Sequence, residues 1–223
     1  MKRNIFILSL ILISTIMQAQ NQIRVKIGAL GTYTAVAEYI RPGNAGYLID
    51  SIDLDQQVFG MLAAIEMDID LGKNFFLVAG FGYNRKGLSN ITYNDILTGT
   101  YTRAARQNYL GINLQLKYHY RFKQSGFGVF LSTGPKIDFA IGEPNYAEYS
   151  LSIGKEYFHA FGHYNFAEFI WYTNPGVTYS LGPGELYLDV NLLNGLSDII
   201  NDSYIIGKTT SFGISFGYSF NLE

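Results

Sequence analysis

"YLGINLQLKYHYRF", residues 109–122, decides how this chain folds. Every second residue from Leu110 is apolar: Leu110, Ile112, Leu114, Leu116, Tyr118, Tyr120 and Phe122. The alternate set is Tyr109, Gly111, Asn113, Gln115, Lys117, His119 and Arg121. Alternation of this length means a β-strand with a different environment on each face. It leaves open which face is inside. A soluble barrel buries the apolar face; a membrane barrel turns it to lipid and keeps the polar one inside.

The same parity spreads outward along the chain. Strands are expected near 23–38, 58–71, 74–87, 106–122, 126–141, 164–181, 184–195 and 208–220. In the fifth, Phe127, Val129, Leu131, Ile137 and Phe139 oppose Gly128, Ser132, Gly134, Lys136 and Asp138. In the last, Phe212, Ile214, Phe216, Tyr218 and Phe220 oppose Ser211, Gly213, Ser215, Gly217 and Ser219. The first and third are less clean, because Leu30, Val36, Phe76 and Val78 fall on the polar side.

The connections alternate in length. Gly72-Lys73-Asn74, "FKQSG" at 122–126 and "LGPG" at 181–184 are tight hairpin signals. The connections near 39–57, 88–105, 142–163 and 196–207 are long. With an even number of up-and-down strands, all short turns then lie at one end and all long loops at the other. Outer-membrane barrels are laid out this way, with short periplasmic turns and long extracellular loops.

Volume decides between the two faces. Side chains just fill the interior of an eight-stranded barrel. The apolar faces here hold too many large residues for that space. The Gly- and Ser-rich faces leave room inside for Tyr187, Glu168 and Lys136. Tyr118, Tyr120 and Phe122 gather at a turn end, where an interfacial aromatic girdle belongs. The expected fold is therefore all-β: an eight-stranded antiparallel up-and-down transmembrane barrel.

Composition agrees. Charged residues make up 15% of the 223, below the roughly 25% of soluble domains. Aromatics make up 16%, with Tyr 18, Phe 16 and Trp 1. The net charge of −2, without a basic patch, argues against nucleic acid. With no cysteine, disulfides, thiolate metal sites, Cys nucleophiles and lipoprotein anchors are excluded. Residues 1–19 read as a secretory signal. Lys2 and Arg3 precede the apolar run Ile5 to Ile16, and cleavage is expected after Ala19 or Gln20. The barrel domain would then occupy 20–223.

Inward charges are of both signs. Arg24, Lys26, Lys117, Arg121 and Lys136 would face Glu66, Asp68, Asp70, Asp138, Glu168 and Asp189. Buried charges must pair, and a balanced set in a narrow lumen reads as a salt-bridged plug, whereas a selective pore favours one sign. His119 belongs to this polar network.

Several segments resemble the Bacteroidota-type outer-membrane β-barrel family often called PorT-like. "YLGINLQLKYHY" resembles its fourth-strand pattern and "MDIDLGKNFFLVAGFGYNRKG" a preceding hairpin. "GFGVFLSTGPKIDFAI" resembles its fifth strand and "SFGISFGYSF" its terminal strand. The likeness covers about 20–220. Asn113 stands where the family usually has Pro, and Asn221, Leu222 and Glu223 follow the terminal aromatic Phe220. The resemblance implies an integral outer-membrane protein and little about activity; one branch is tied to a secretion apparatus.

Catalytic signatures are sparse. His159 and His163 have helical metal-ligand spacing, but Gly162 intervenes and the segment favours strand. No His-Glu-x-x-His motif, serine elbow or phosphate loop occurs. No cofactor, metal site or catalytic residue is expected. The functional surface is expected at the long-loop end. There Tyr146, Tyr149, Tyr157, Phe158, His159, Phe161 and His163 suit recognition, or else pack a hairpin above the membrane. The leading expectation is a non-catalytic structural or binding barrel in contact with lipid and an extracellular ligand or membrane-protein partner. A narrow channel or secretion-machine subunit is the alternative, and a lipid-modifying or proteolytic enzyme a further one.

Overall fold

A computed structural model describes residues 22–39, 58–95, 99–150, 163–198, 200–201 and 205–222. The strands are β1 Gln22–Tyr39, β2 Val58–Gly72, β3 Phe75–Asp95, β4 Gly99–Arg121 and β5 Phe127–Ser150. They continue as β6 His163–Tyr164, β7 Ala167–Leu181, β8 Gly184–Gly195, β9 Ile200–Asn201 and β10 Ile205–Asn221. Eight of them close into one barrel in the order β1-β10-β8-β7-β5-β4-β3-β2, every pairing antiparallel. β6 and β9 form a separate two-stranded sheet. The expected segment 1–19 lies outside the described residues.

Local chemistry makes the tight turns. Lys73 and Asn74 have φ of 53° and 70°, as a primed two-residue hairpin turn requires. Asp70 Oδ1 accepts the Gly72 N–H at 2.6 Å, which bends the strand into that turn. Asp70 is thereby held at the rim, half-exposed, and not deep in the lumen as its parity suggested.

Hydrogen-bond register sets the tilt. From His119 the row of partners runs through Phe130, Gly176, Asp189, Ser215, Gly28, Leu62 and Asn84, and returns to β4 at Tyr109. One circuit climbs ten residues (119 − 109) along β4. With eight strands, that stagger tilts each strand about 40° from the barrel axis.

The two faces of β4 separate as the alternation predicts. Leu114 is 49% exposed and its neighbour Gln115 1%. Ile112, Leu116, Tyr118, Tyr120 and Phe122 share the outer wall with Val25, Ile65, Phe81, Leu131, Leu188 and Phe216. At the turn end the wall carries packed aromatic pairs: Phe75–Tyr118, Tyr120–Phe122, Phe127–Tyr179 and Tyr218–Phe220.

Three departures from the sequence reading have physical causes. First, Leu30, Phe76 and Val78 do not break parity; they are buried inside. Leu30 joins Leu62, Ile170, Tyr172 and Leu193 in an apolar layer across the lumen. Second, much of what read as loop is strand. β3 and β4 pair as far as Asp95–Gly99, and β4 and β5 as far as Tyr101–Ser150. Above a membrane both faces of a sheet meet water, so the alternation marking the wall fades although the backbone pairing continues. Third, the expected strand from 164 is split. β7 begins at Ala167, while His163 and Tyr164 pair with Asn201 and Ile200.

Candidate functional site: a filled lumen and a raised rim

Strand pairing brings the inward charges together in two clusters. The lower one is near the turns. Arg24 Nη2 lies 2.8 Å from Asp68 Oδ1 and 3.0 Å from Glu66 Oε2, within ion-pair distance though not aligned as hydrogen bonds. Lys117 reaches Asp68 Oδ2 at 2.6 Å, and Lys26 reaches Glu66 Oε1 at 2.9 Å and Asp189 Oδ2 at 3.6 Å. Aromatic faces line this cluster: Arg24 lies over the rings of Phe130 and Tyr187, and Lys117 over Phe76 and Phe130.

Amides and hydroxyls fill the space above. Gln115 donates to Asn174 Oδ1 at 2.9 Å, and Asn174 to Asn191 Oδ1 at 2.9 Å. Asn191 donates to Ser215 at 2.9 Å and accepts from Tyr172 OH, and Ser215 hydrogen-bonds Asp189.

Beyond the apolar layer lies the upper cluster. Lys86 Nζ sits 2.6 Å from Asp138 Oδ2 and 2.7 Å from Glu168 Oε2. Lys136 Nζ is 2.9 Å from Asp138 Oδ1. Asn84 donates to both oxygens of Asp138 at 3.1 and 3.2 Å, and Thr209 hydrogen-bonds Glu168. Within the two clusters, five cations (Arg24, Lys26, Lys86, Lys117, Lys136) balance five carboxylates (Glu66, Asp68, Asp138, Glu168, Asp189).

Arg121 differs from its predicted place in the lumen interior. Its side chain is 49% exposed at the turn-end mouth, where Nε donates to Glu185 Oε1 at 2.7 Å. It is the last residue of β4, so its length carries the charge to water. His119 is 2% exposed, with Nε2 3.0 Å from Thr178 Oγ1 and its ring between Phe76 and Phe130. That packing leaves no room for a substrate at the imidazole.

Lys86 is the residue that the sequence reading missed. The inward parity Gly80, Gly82, Asn84, Lys86 marks it, but Phe76 and Val78 at the start of the same face obscured the pattern. Of the predicted recognition residues, Tyr146 and Tyr149 lie in the raised part of β5 and His163 in β6. Tyr157, Phe158, His159 and Phe161 lie outside the described residues.

The rim is stitched together by backbone and side-chain bonds. Asn165 Nδ2 donates to Asp198 O at 2.7 Å, and Phe169 N to Ser197 Oγ at 2.9 Å. Leu196 N donates to Phe169 O at 2.7 Å, and Ala140 N to Phe166 O at 2.8 Å. With the β6–β9 pairing, these bonds join the connection after β5 to the connection after β8.

A closed antiparallel barrel with an apolar wall, an aromatic girdle and a charge-paired interior is an integral membrane barrel. The chain belongs to the outer membrane protein beta-barrel domain family, which matches residues 18–201, and it is a protein of the bacterial outer membrane. Its fold is similar to that of Ail, the attachment invasion locus protein of Yersinia pestis, in complex with the heparin analogue sucrose octasulfate. Identity is 11%, over 90% of this chain and 99% of that one, with a TM-score of 0.42. Neisserial surface protein A is 10% identical over 90% and 97% of the two chains, with a TM-score of 0.48. The outer membrane protease OmpT from Escherichia coli is 9% identical over 91% and 97%, with a TM-score of 0.40. No curated protein matches the sequence.

Proposed function

We propose that the protein is a non-catalytic barrel that acts through its raised strands and loops, with a lumen closed to solutes. The filled lumen carries this reading: two ion-paired clusters lie on either side of an apolar layer. Ions crossing it would have to break buried pairs and then wet four aliphatic side chains. The strands that rise past the wall, β3, β4 and β5, are 21, 23 and 24 residues long, against the roughly 9–11 that a bilayer crossing needs. In this reading the raised end is extracellular and meets a ligand or membrane-protein partner, with Tyr146, Tyr149, Tyr157, Phe158, His159, Phe161 and His163 on that side. Residues 1–19 are removed on export, both mature ends are periplasmic, and the chain sits in the PorT-like branch.

Two measurements test it. In planar bilayers the purified protein shows no steady conductance; a large steady conductance refutes closure. Because the chain lacks cysteine, single cysteines report sidedness cleanly. In intact cells a membrane-impermeant maleimide labels Asn94→Cys and spares Lys123→Cys; the reverse pattern refutes the orientation.

A further inference from the structure

Almost every charge in the barrel wall points inward, and Arg85 does not. On β3 it follows Phe75, Leu77, Ala79, Phe81 and Tyr83 on the outer face. A cation there is costly at the bilayer midplane and tolerated near the interface. Arg85 lies ten residues (85 − 75) along the strand from Phe75, which packs on Tyr118 in the turn-end girdle. At a 40° tilt that spans about 25 Å along the barrel axis, the height of the apolar band of such barrels. Arg85 therefore stands where the opposite head-group layer begins.

Its neighbours make a binding geometry. Arg85 is paired in register with Met61 on β2 and Asn108 on β4. The side chain is half-buried, with Nε shut off from solvent and without a hydrogen-bond acceptor among the described residues, so the outer end of the guanidinium is what a ligand can meet. Tyr83 OH donates to Asn108 Oδ1 at 2.7 Å. That bond occupies the acceptor end of the amide and leaves Nδ2 as a donor. A guanidinium and an amide N–H thus stand on adjoining strands at head-group height. A guanidinium and an amide side by side suit an anion with several oxygens, a phosphate above all.

We propose that Arg85 and Asn108 bind a phosphate of lipid A in the outer leaflet, with Tyr83 orienting the amide. The choice of lipid A rests on the orientation proposed above; the phosphate site does not. The test is retention of lipid by the refolded protein in non-ionic detergent, read by native mass spectrometry. Probes are lipid A, dephosphorylated lipid A, phosphatidylglycerol and inorganic phosphate. The wild type keeps lipid A and loses the dephosphorylated form. Arg85→Gln weakens retention about tenfold, the size of one charge-assisted hydrogen bond, and Tyr83→Phe weakens it less. Heat-modifiable gel mobility verifies that each variant is folded, and Tyr83→Phe keeps both donors should Arg85→Gln fail to fold. Equal retention of the two lipid A forms, or by wild type and both variants, overturns the site. Preference for phosphatidylglycerol, or saturation by inorganic phosphate alone, overturns the lipid A assignment. Micelle binding is blind to sidedness, so a failed orientation would show only in the cysteine labelling.

Discussion

Lys86 and Asp138 meet at 2.6 Å across the lumen, from strands that are not neighbours in the sheet. Glu168, on the strand beside Asp138, shares the same ammonium at 2.7 Å. Removing the cation leaves Glu168 in a buried space without its ion pair and Asp138 with Lys136 alone. Lys86→Met is expected to lower stability by about 3–5 kcal/mol in guanidinium unfolding from micelles. Adding Glu168→Gln, which restores the charge balance and leaves the Lys136–Asp138 pair in place, should recover part of that loss. A single variant as stable as wild type would show that the pairs do not support the fold.

The apolar layer of Leu30, Leu62, Ile170 and Leu193 is expected to be the seal of the lumen. Leu62→Ala with Leu193→Ala leaves the charge pairs intact and opens space for water. Each truncation should cost about 2–5 kcal/mol, and the double variant should admit small ions in liposome flux assays. If it stays tight, the ion pairs alone close the barrel.

Thr133 and Thr173 face lipid and hydrogen-bond one another at 2.8 Å. Neither hydroxyl can reach water at that depth. Thr133→Val should cost about 0.6 kcal/mol, the mean for such bonds in membranes, and the double valine variant should return close to wild type. A double-mutant cycle in micelles reads the coupling; a zero value refutes the bond.

Gly134 on β5 lies tight against the backbone of β4. A Cβ there would stand 2.8 Å from Gln115 Cα and closer still to Leu114 O, both backbone atoms that cannot move alone. Gly134→Ala should cost about 1–3 kcal/mol by overpacking and reduce the heat-modifiable folded band. Wild-type refolding yield would contradict the crowding.

Trp171 is the one tryptophan, 44% exposed on the outer wall. In vesicles its fluorescence should be quenched by brominated acyl chains and shielded from iodide. Strong iodide quenching would place that wall in water.

The wall was legible in the sequence because lipid imposes one rule on every outward residue. Leu110 to Phe122 and Phe212 to Phe220 obey it without exception. The lumen obeys a looser rule, since either a charge pair or a packed leucine fills it. Leu30 and Val78 therefore read as errors when they are interior packing. Partners inside were not legible at all. Lys86, opposite Gln107 on β4, finds Asp138, opposite Gly111 on the same strand, only through the registers of three strands, which no local spacing encodes. The raised strands were lost for a third reason, that a sheet wet on both faces carries little periodic signal.

Gln22 on β1 donates to Asn221 on β10 at 2.8 Å, although 199 positions separate them. The first and last strands are thus as closely joined as any two consecutive ones, and the linear order of the chain is in part dispensable. A short linker between them, with new ends opened in the 122–126 turn, should yield a circular permutant of the same barrel. Closure would then fall to β4 and β5, and the seam would move a half-turn around the molecule.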